Sequence, residues 1–185
     1  MIGNLVAGQT GSGGAVANSY ESIVTATPAA GTTSVVLSPI PSTFKHLQVR
    51  FMMRRNAAGT CQIYLRPNSD SASDKAYHYL RGEGTTASAS GVASTSRIYL
   101  GEATSSTQSS GIFATGIVDI LDYGSTTKNK TVRSFNGYDA NGSGYVHVSS
   151  GLWNSTTAIT SLQFEFVGDA TETGATFALY GIKEF

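Results

Sequence analysis

The chain has 185 residues, enough for one domain with an arm and a sizeable core. Only 13% of the residues are charged, about half the ~25% usual in soluble proteins, and twelve basic residues balance twelve acidic ones. That excludes a general phosphate-backbone binder, which needs surplus Lys and Arg; it predicts an uncharged polar surface suited to packing against copies of itself or a larger assembly.

The first nineteen residues read as a separate arm. Met1-Ile2-Gly3-Asn4-Leu5-Val6 is a short apolar tip, and the Gly/Ser run from Gly8 to Gly14 is a flexible tether. Met1, Ile2, Asn4, Leu5 and Val6 are the candidate assembly residues of that arm. The start lacks the basic-then-apolar order of a secretory signal. No apolar run approaches the ~18 residues of a membrane helix, so neither membrane nor nucleic acid is expected as a partner.

From Tyr20 onward the pattern is β. Candidate strands fall at 21–27, 33–38, 45–55, 61–66, 76–82, 97–100, 112–122, 131–138, 145–149, 161–167 and 176–182. Clusters of Gly, Ser, Asn and Asp separate them, and residues 84–95 read as one such loop. The stretch 45–55 alternates most cleanly: Leu47, Val49, Phe51 and Met53 share one face, Gln48, Arg50 and Arg54 the other. No amphipathic helix is evident. Short strands with some long connections predict an all-β antiparallel sandwich of jelly-roll type over 20–185. The stretch 112–121 is apolar on both faces, so a loop or a second subunit is expected to cover it, preferably the subunit.

Chemistry-bearing motifs are absent or incomplete. Gly8 to Gly14 lacks the Gly-Lys-Ser/Thr of a phosphate loop and opens no helix. The run from Asp139 resembles the start of a calcium loop, but its twelfth position is Ser150, where a bidentate glutamate is needed; a glycine-rich hairpin turn fits better. His46, His78 and His147 lack zinc-ligand spacing and read as ordinary hydrogen-bonded histidines. No Gly-x-Ser-x-Gly elbow occurs. Asp119 and Asp122, three apart on an expected strand, point to opposite faces and cannot act as a glycosidase pair unless a bulge intervenes. Cys61, the only cysteine, reads as a small buried hydrophobe. Catalytic, cofactor-binding and metal residues are therefore expected to be none. Arg50, Arg54, Arg55, Arg66 and Arg81, with Tyr64 and Tyr79, form the candidate interface or ligand patch; strand-edge charge that blocks aggregation explains the arginines equally well.

Several long motifs occur in an order that resembles a family of tailed-phage virion proteins. They are Tyr20-Glu21-Ser22-Ile23, the run Ile40-Pro41-Ser42-Thr43-Phe44-Lys45-His46-Leu47-Gln48-Val49-Arg50, and Tyr77-His78-Tyr79-Leu80-Arg81-Gly82-Glu83-Gly84. Asp119-Ile120-Leu121-Asp122-Tyr123, Lys130-Thr131-Val132-Arg133-Ser134, Ser150-Gly151-Leu152-Trp153 and Leu179-Tyr180-Gly181-Ile182-Lys183 follow, and the opening Met1-Ile2-Gly3-Asn4 fits too. Pro67 and the extension Glu184-Phe185 depart from the pattern. The resemblance implies a non-enzymatic virion component, made in the host cytoplasm and placed on the capsid surface or tail. Its expected partners are itself, as a trimer by analogy, and the major capsid protein or other virion proteins. A capsid decoration or cement protein is the first expectation. A tail-fibre or receptor-binding module recognising a host surface glycan is the second.

Overall fold

The computed structural model describes residues 19–59, 61–168 and 170–183. The expected arm, with Met1, Ile2, Asn4, Leu5 and Val6, lies outside them. Twelve strands form: β1 (Tyr20–Ala26), β2 (Ser34–Leu37), β3 (His46–Met53), β4 (Cys61–Pro67), β5 (Lys75–Glu83), β6 (Thr86–Thr95), β7 (Ile98–Ala103), β8 (Ala114–Ile120), β9 (Lys130–Asp139), β10 (Gly144–Trp153), β11 (Leu162–Val167) and β12 (Thr176–Ile182). No helix occurs among the described residues.

The strands make two sheets of unequal width. One has eight strands in the order β1-β12-β3-β8-β9-β10-β5-β6; the other has four, β2-β11-β4-β7. All strand pairs are antiparallel. The chain crosses repeatedly between sheets, which suits the jelly-roll expectation, although the two sheets are far from equal. The arrangement is a β-sandwich, and its core is where alternation places it. Leu47, Val49, Phe51 and Met53 of β3 are at most 3% exposed, and they meet Phe164 and Phe166 of β11 and Leu65 of β4 across the gap. Phe51 stacks on Phe177 with ring centroids 5.6 Å apart. Cys61 is fully buried, as a small hydrophobe should be.

The four-stranded sheet ends at β7, and all six residues of that strand are buried. Its backbone is met by side chains of the wide sheet. Ser134 Oγ donates to Leu100 O at 2.7 Å and Ser149 Oγ to Tyr99 O at 2.6 Å. Asn136 Oδ1 accepts from Glu102 N at 3.1 Å. Gly101 sits beside this last contact with φ 140°, and a Cβ there would lie 2.2 Å from Asn136 Oδ1. Both the backbone angle and the close approach require glycine. These pegs satisfy polar groups that a buried sheet edge otherwise leaves without partners.

Residues 84–95 depart from the expected loop, because β6 occupies most of them. Its sequence, Thr-Ala-Ser-Ala-Ser-Gly-Val-Ala-Ser-Thr, has no apolar period, since the strand is exposed on both faces. Pairing with β5 through a tight turn at Gly84 (φ 55°) creates the strand, and no burial pattern announces it. The turn at 139–144 follows expectation: Asn141 and Gly142 have φ of 60° and 98°, and Asp139 Oδ1 accepts from Asn141 N at 2.7 Å.

Arg54 is a second departure. β3 ends at Met53, and Arg54 is 3% exposed where the alternation predicts an outward cation. Its guanidinium donates to the carbonyls of Ser109, Ile112, Ser106 and Gln108 at 2.9–3.2 Å and pairs with Glu172. The whole donor fork is used to fold the loop between β7 and β8 around one side chain. Arg54→Ala leaves those carbonyls and Glu172 without their donor. We expect a loss of about 3 kcal/mol or more in urea unfolding, only slightly relieved in Arg54→Lys, which lacks the fork. Retention of wild-type stability by Arg54→Ala would contradict this role.

Candidate functional site

The outer face of the wide sheet is apolar over much of its breadth. Strand register aligns Arg50, Ile117, Phe135, Val148, Leu80 and Ala89 in one row that crosses β3, β8, β9, β10, β5 and β6. Ile117, Phe135, Val148 and Leu80 are 39%, 57%, 51% and 56% exposed. Outward Met52 and Val146 add to the face one step along the strands. Between them Thr115 and Gly137 are too small to fill the sheet surface, so a groove of roughly 580 Å³ opens beside Ile117 and Phe135. The double apolarity expected for 112–121 resolves into Ala114, Val118 and Ile120 inside and Ile117 outside, and no loop among the described residues buries Ile117.

A polar row runs along the other flank of the apolar one. Gln48 Nε2 donates to Asp119 Oδ1 at 2.9 Å, and Gln48 Oε1 accepts from Arg50 Nε at 3.0 Å. The Arg50 guanidinium lies over the rings of Tyr20 and Tyr180, 5.9 and 5.5 Å from their centroids. Arg133 stands directly across from Asp119 on β9 and is exposed.

A second cluster lies where the narrow sheet stops short of β5. Tyr99 of β7 packs against Tyr64, Tyr77 and Tyr79, with centroids 5.2–5.7 Å apart, and His147 of β10 packs against Tyr79, Tyr99 and Tyr145 at 5.2–5.3 Å. Tyr99 Oη donates to Glu102 Oε1 at 3.1 Å, and Arg81 reaches the same oxygen at 3.4 Å. His147 is fully buried, and its ring nitrogens bond to no protein atom among the described residues. That departs from the hydrogen-bonded histidines expected. Burial, with the Arg81 charge beside it, lowers its pKa to about 4. Burial also raises the hydroxyls of Tyr99 and Tyr145, and pushes Tyr64 up to about 12. The tyrosines therefore stay neutral donors. The rings cover one another's edges, leaving Tyr64 and Tyr99 under 10% exposed.

The expected patch of arginines and tyrosines is divided among four places. Arg50 lies on the outer face of the wide sheet. Arg54 is buried in its loop, and Arg55 beside it donates to Gly168 O at 2.7 Å. Tyr64, Tyr79 and Arg81 do come together, around Tyr99. Arg66, two residues beyond Tyr64, pairs with Glu165 at 3.1 Å on the outside of the narrow sheet. Asp119 faces outward, whereas Asp122 sits in the following turn (φ 48°) and binds Lys128 at 2.5 Å. His46 Nδ1 accepts from Asp122 N at 3.1 Å. Among the described residues no three potential ligands gather to hold a metal ion. Sequence reasoning missed Phe135, Val148 and Leu80. Alternation in β10 pointed the other way: Val146, Val148 and Leu152 share the more apolar parity, yet they are exposed while Tyr145, His147 and Ser149 are buried.

The sign of the His147 effect follows from its lowered pKa. The unfolded chain takes up this proton near 6.5 and the folded chain near 4, so the folded state binds fewer protons between those values. Stability is then complete above pH 6.5 and declines as pH falls through that window. We expect urea unfolding to lose about 1–2 kcal/mol between pH 7 and pH 5, and His147→Gln to flatten that slope. An unchanged slope in the variant would refute the assignment.

Compared with known proteins, the chain finds no match: no family model, no curated protein and no solved structure resembles it significantly.

Proposed function

We propose that the chain is a non-enzymatic structural protein of a tailed-phage virion, decorating or cementing the capsid exterior and packing there with copies of itself and with the major capsid protein. The observation that carries the packing role is the apolar row Ile117–Phe135–Val148–Leu80 on the open face of the wide sheet. An apolar face of this extent is the mark of a surface that another surface covers. The virion assignment rests on the ordered motifs set out above. Low charge supports the same reading, because side-by-side copies then repel one another little. The close carboxylate pair of Asp70 and Asp74 is bridged by buried Lys75 and by Trp153 Nε1, which suits a structural ion pair.

The receptor-binding alternative draws on the tyrosine cluster. Sugar recognition needs an open ring face, and here Tyr64, Tyr77, Tyr79 and Tyr99 pack largely on each other. The cluster therefore favours a structural role, and the decoration reading is preferred.

Purified full-length protein is expected to co-sediment with phage heads lacking it, to saturate across the capsid surface, and to raise their resistance to heat. Label confined to the tail in electron micrographs, or no binding to heads, would overturn this reading. A truncation lacking residues 1–14 is expected to keep its fold by circular dichroism yet bind heads at least about tenfold more weakly, because the apolar tip is then lost from the contact.

A further inference from the structure

We propose that two copies of this chain pair face to face through the outer surfaces of their wide sheets, about a twofold axis that runs along the strands between β8 and β9. The inference deepens the proposed packing with copies of itself by naming the face, the partner and the symmetry.

Area is the first argument. Met52, Leu80, Ile117, Phe135, Val146 and Val148 are 39–57% exposed and together present roughly 500–600 Å² of apolar side chain, the upper end for a patch on a lone monomer. Asp119 and the exposed Arg133 extend the face beyond the apolar patch, toward the ~800 Å² per partner of a standard stable interface.

Register supplies the second argument. β8 and β9 are the fourth and fifth of eight strands, so the axis between them passes through the middle of the sheet and the faces overlap fully. Ile117 is level with Phe135, and Asp119 with Arg133. Rotation about that axis sets each residue of β8 opposite its cross-strand neighbour on β9 of the second copy. Ile117 then meets Phe135 of the second copy, and Asp119 meets Arg133 of the second copy, twice over. One strand further out, Met52 of β3 lies opposite Val146 of β10. The face is thus self-complementary in charge as well as apolar, which an isologous contact requires.

Charge completes the case. Asp119 receives one hydrogen bond, from Gln48, and Arg133 is exposed with no ion pair to a described residue. An arginine and a carboxylate level with each other on one face are placed to cross-pair with a copy in the opposite sense.

Sedimentation equilibrium of the full-length chain tests the pairing. The wild type is expected at the mass of two chains. Phe135→Asp is expected to be monomeric, while Val36→Asp, a like change on the exposed outside of the narrow sheet, remains paired. Asp119→Arg and Arg133→Asp each set like charges against each other and should weaken pairing at least about tenfold; the double exchange restores opposite charges and should recover it. Circular dichroism and urea unfolding verify that each variant is folded. A wild-type monomer, a trimer, pairing that survives Phe135→Asp, or a double exchange no tighter than its single variants would each overturn the proposal. So would association lost on removal of residues 1–18 and kept in Phe135→Asp, which makes the arm the contact. A monomer that still coats phage heads sinks the pair and leaves the virion reading standing; a pair that ignores heads does the reverse.

Discussion

Four strands cannot cover eight. This difference in width determines most of what is distinctive in the molecule. The apolar core is densest where the sheets overlap, between β2, β11 and β4 on one side and β12, β3 and β8 on the other, and it thins through Ile98 and Leu100 of β7 over Val132 of β9. Beyond that overlap the wide sheet continues as β10, β5 and β6 with progressively less above it. β6, at the far edge, is exposed on both faces. Burial supplies the main driving force for a sandwich, so the uncovered part has to be held by other means.

Those means are polar. Under β7 the core changes from Leu, Val and Phe to Ser134, Asn136, Ser149 and His147, and three of these side chains hydrogen-bond the β7 backbone. Further out, Tyr99, Tyr79, Tyr145, Glu102 and Arg81 close the open edge with ring contacts and shared hydrogen bonds. The pegs on β7 fix how the strands sit over one another, because each pairs with one backbone group, while among the described residues the His147 ring nitrogens and Tyr145 Oη beside them are held by ring contacts alone.

The few charges are used in the same way. Lys75 is buried and binds Asp70 and Asp74 at 2.9 and 2.7 Å, beside Trp153. The Ala72 amide, and after it the hydrogen bonds from Lys75 and Trp153, hold the Asp70 carboxyl down to about 2. Lys130, also buried, donates to the carbonyls of Ser125, Lys128 and Thr156. Arg54 does the same for the loop after β7. Irregular segments cannot satisfy their own carbonyls, and a single cation with several donors satisfies them at small cost in sequence. Low overall charge therefore coexists with charges placed inside the molecule, and the outer face of the wide sheet is left largely to neutral side chains.

The order of strands along the chain was legible from the sequence. Alternation placed Leu47, Val49, Phe51 and Met53 inward, and Gly, Asn and Asp marked the turns, because both signals are local and have a fixed period. β6 was not legible, since a strand exposed on both faces leaves no apolar period to read. Arg54 broke the alternation because the end of β3 and the loop that closes over it are brought together only by folding. The expected arginine and tyrosine patch required knowing which strands lie beside each other. Tyr64, Tyr79 and Arg81 meet only because the narrow sheet ends at β7, and Arg50 lies on another surface altogether. Sequence by itself determined which residues of a strand share a face, since side-chain direction alternates with a period of two. Only the tertiary structure decided which faces are covered, because coverage depends on how many strands each sheet collects, and that is set by pairing between residues far apart in the chain.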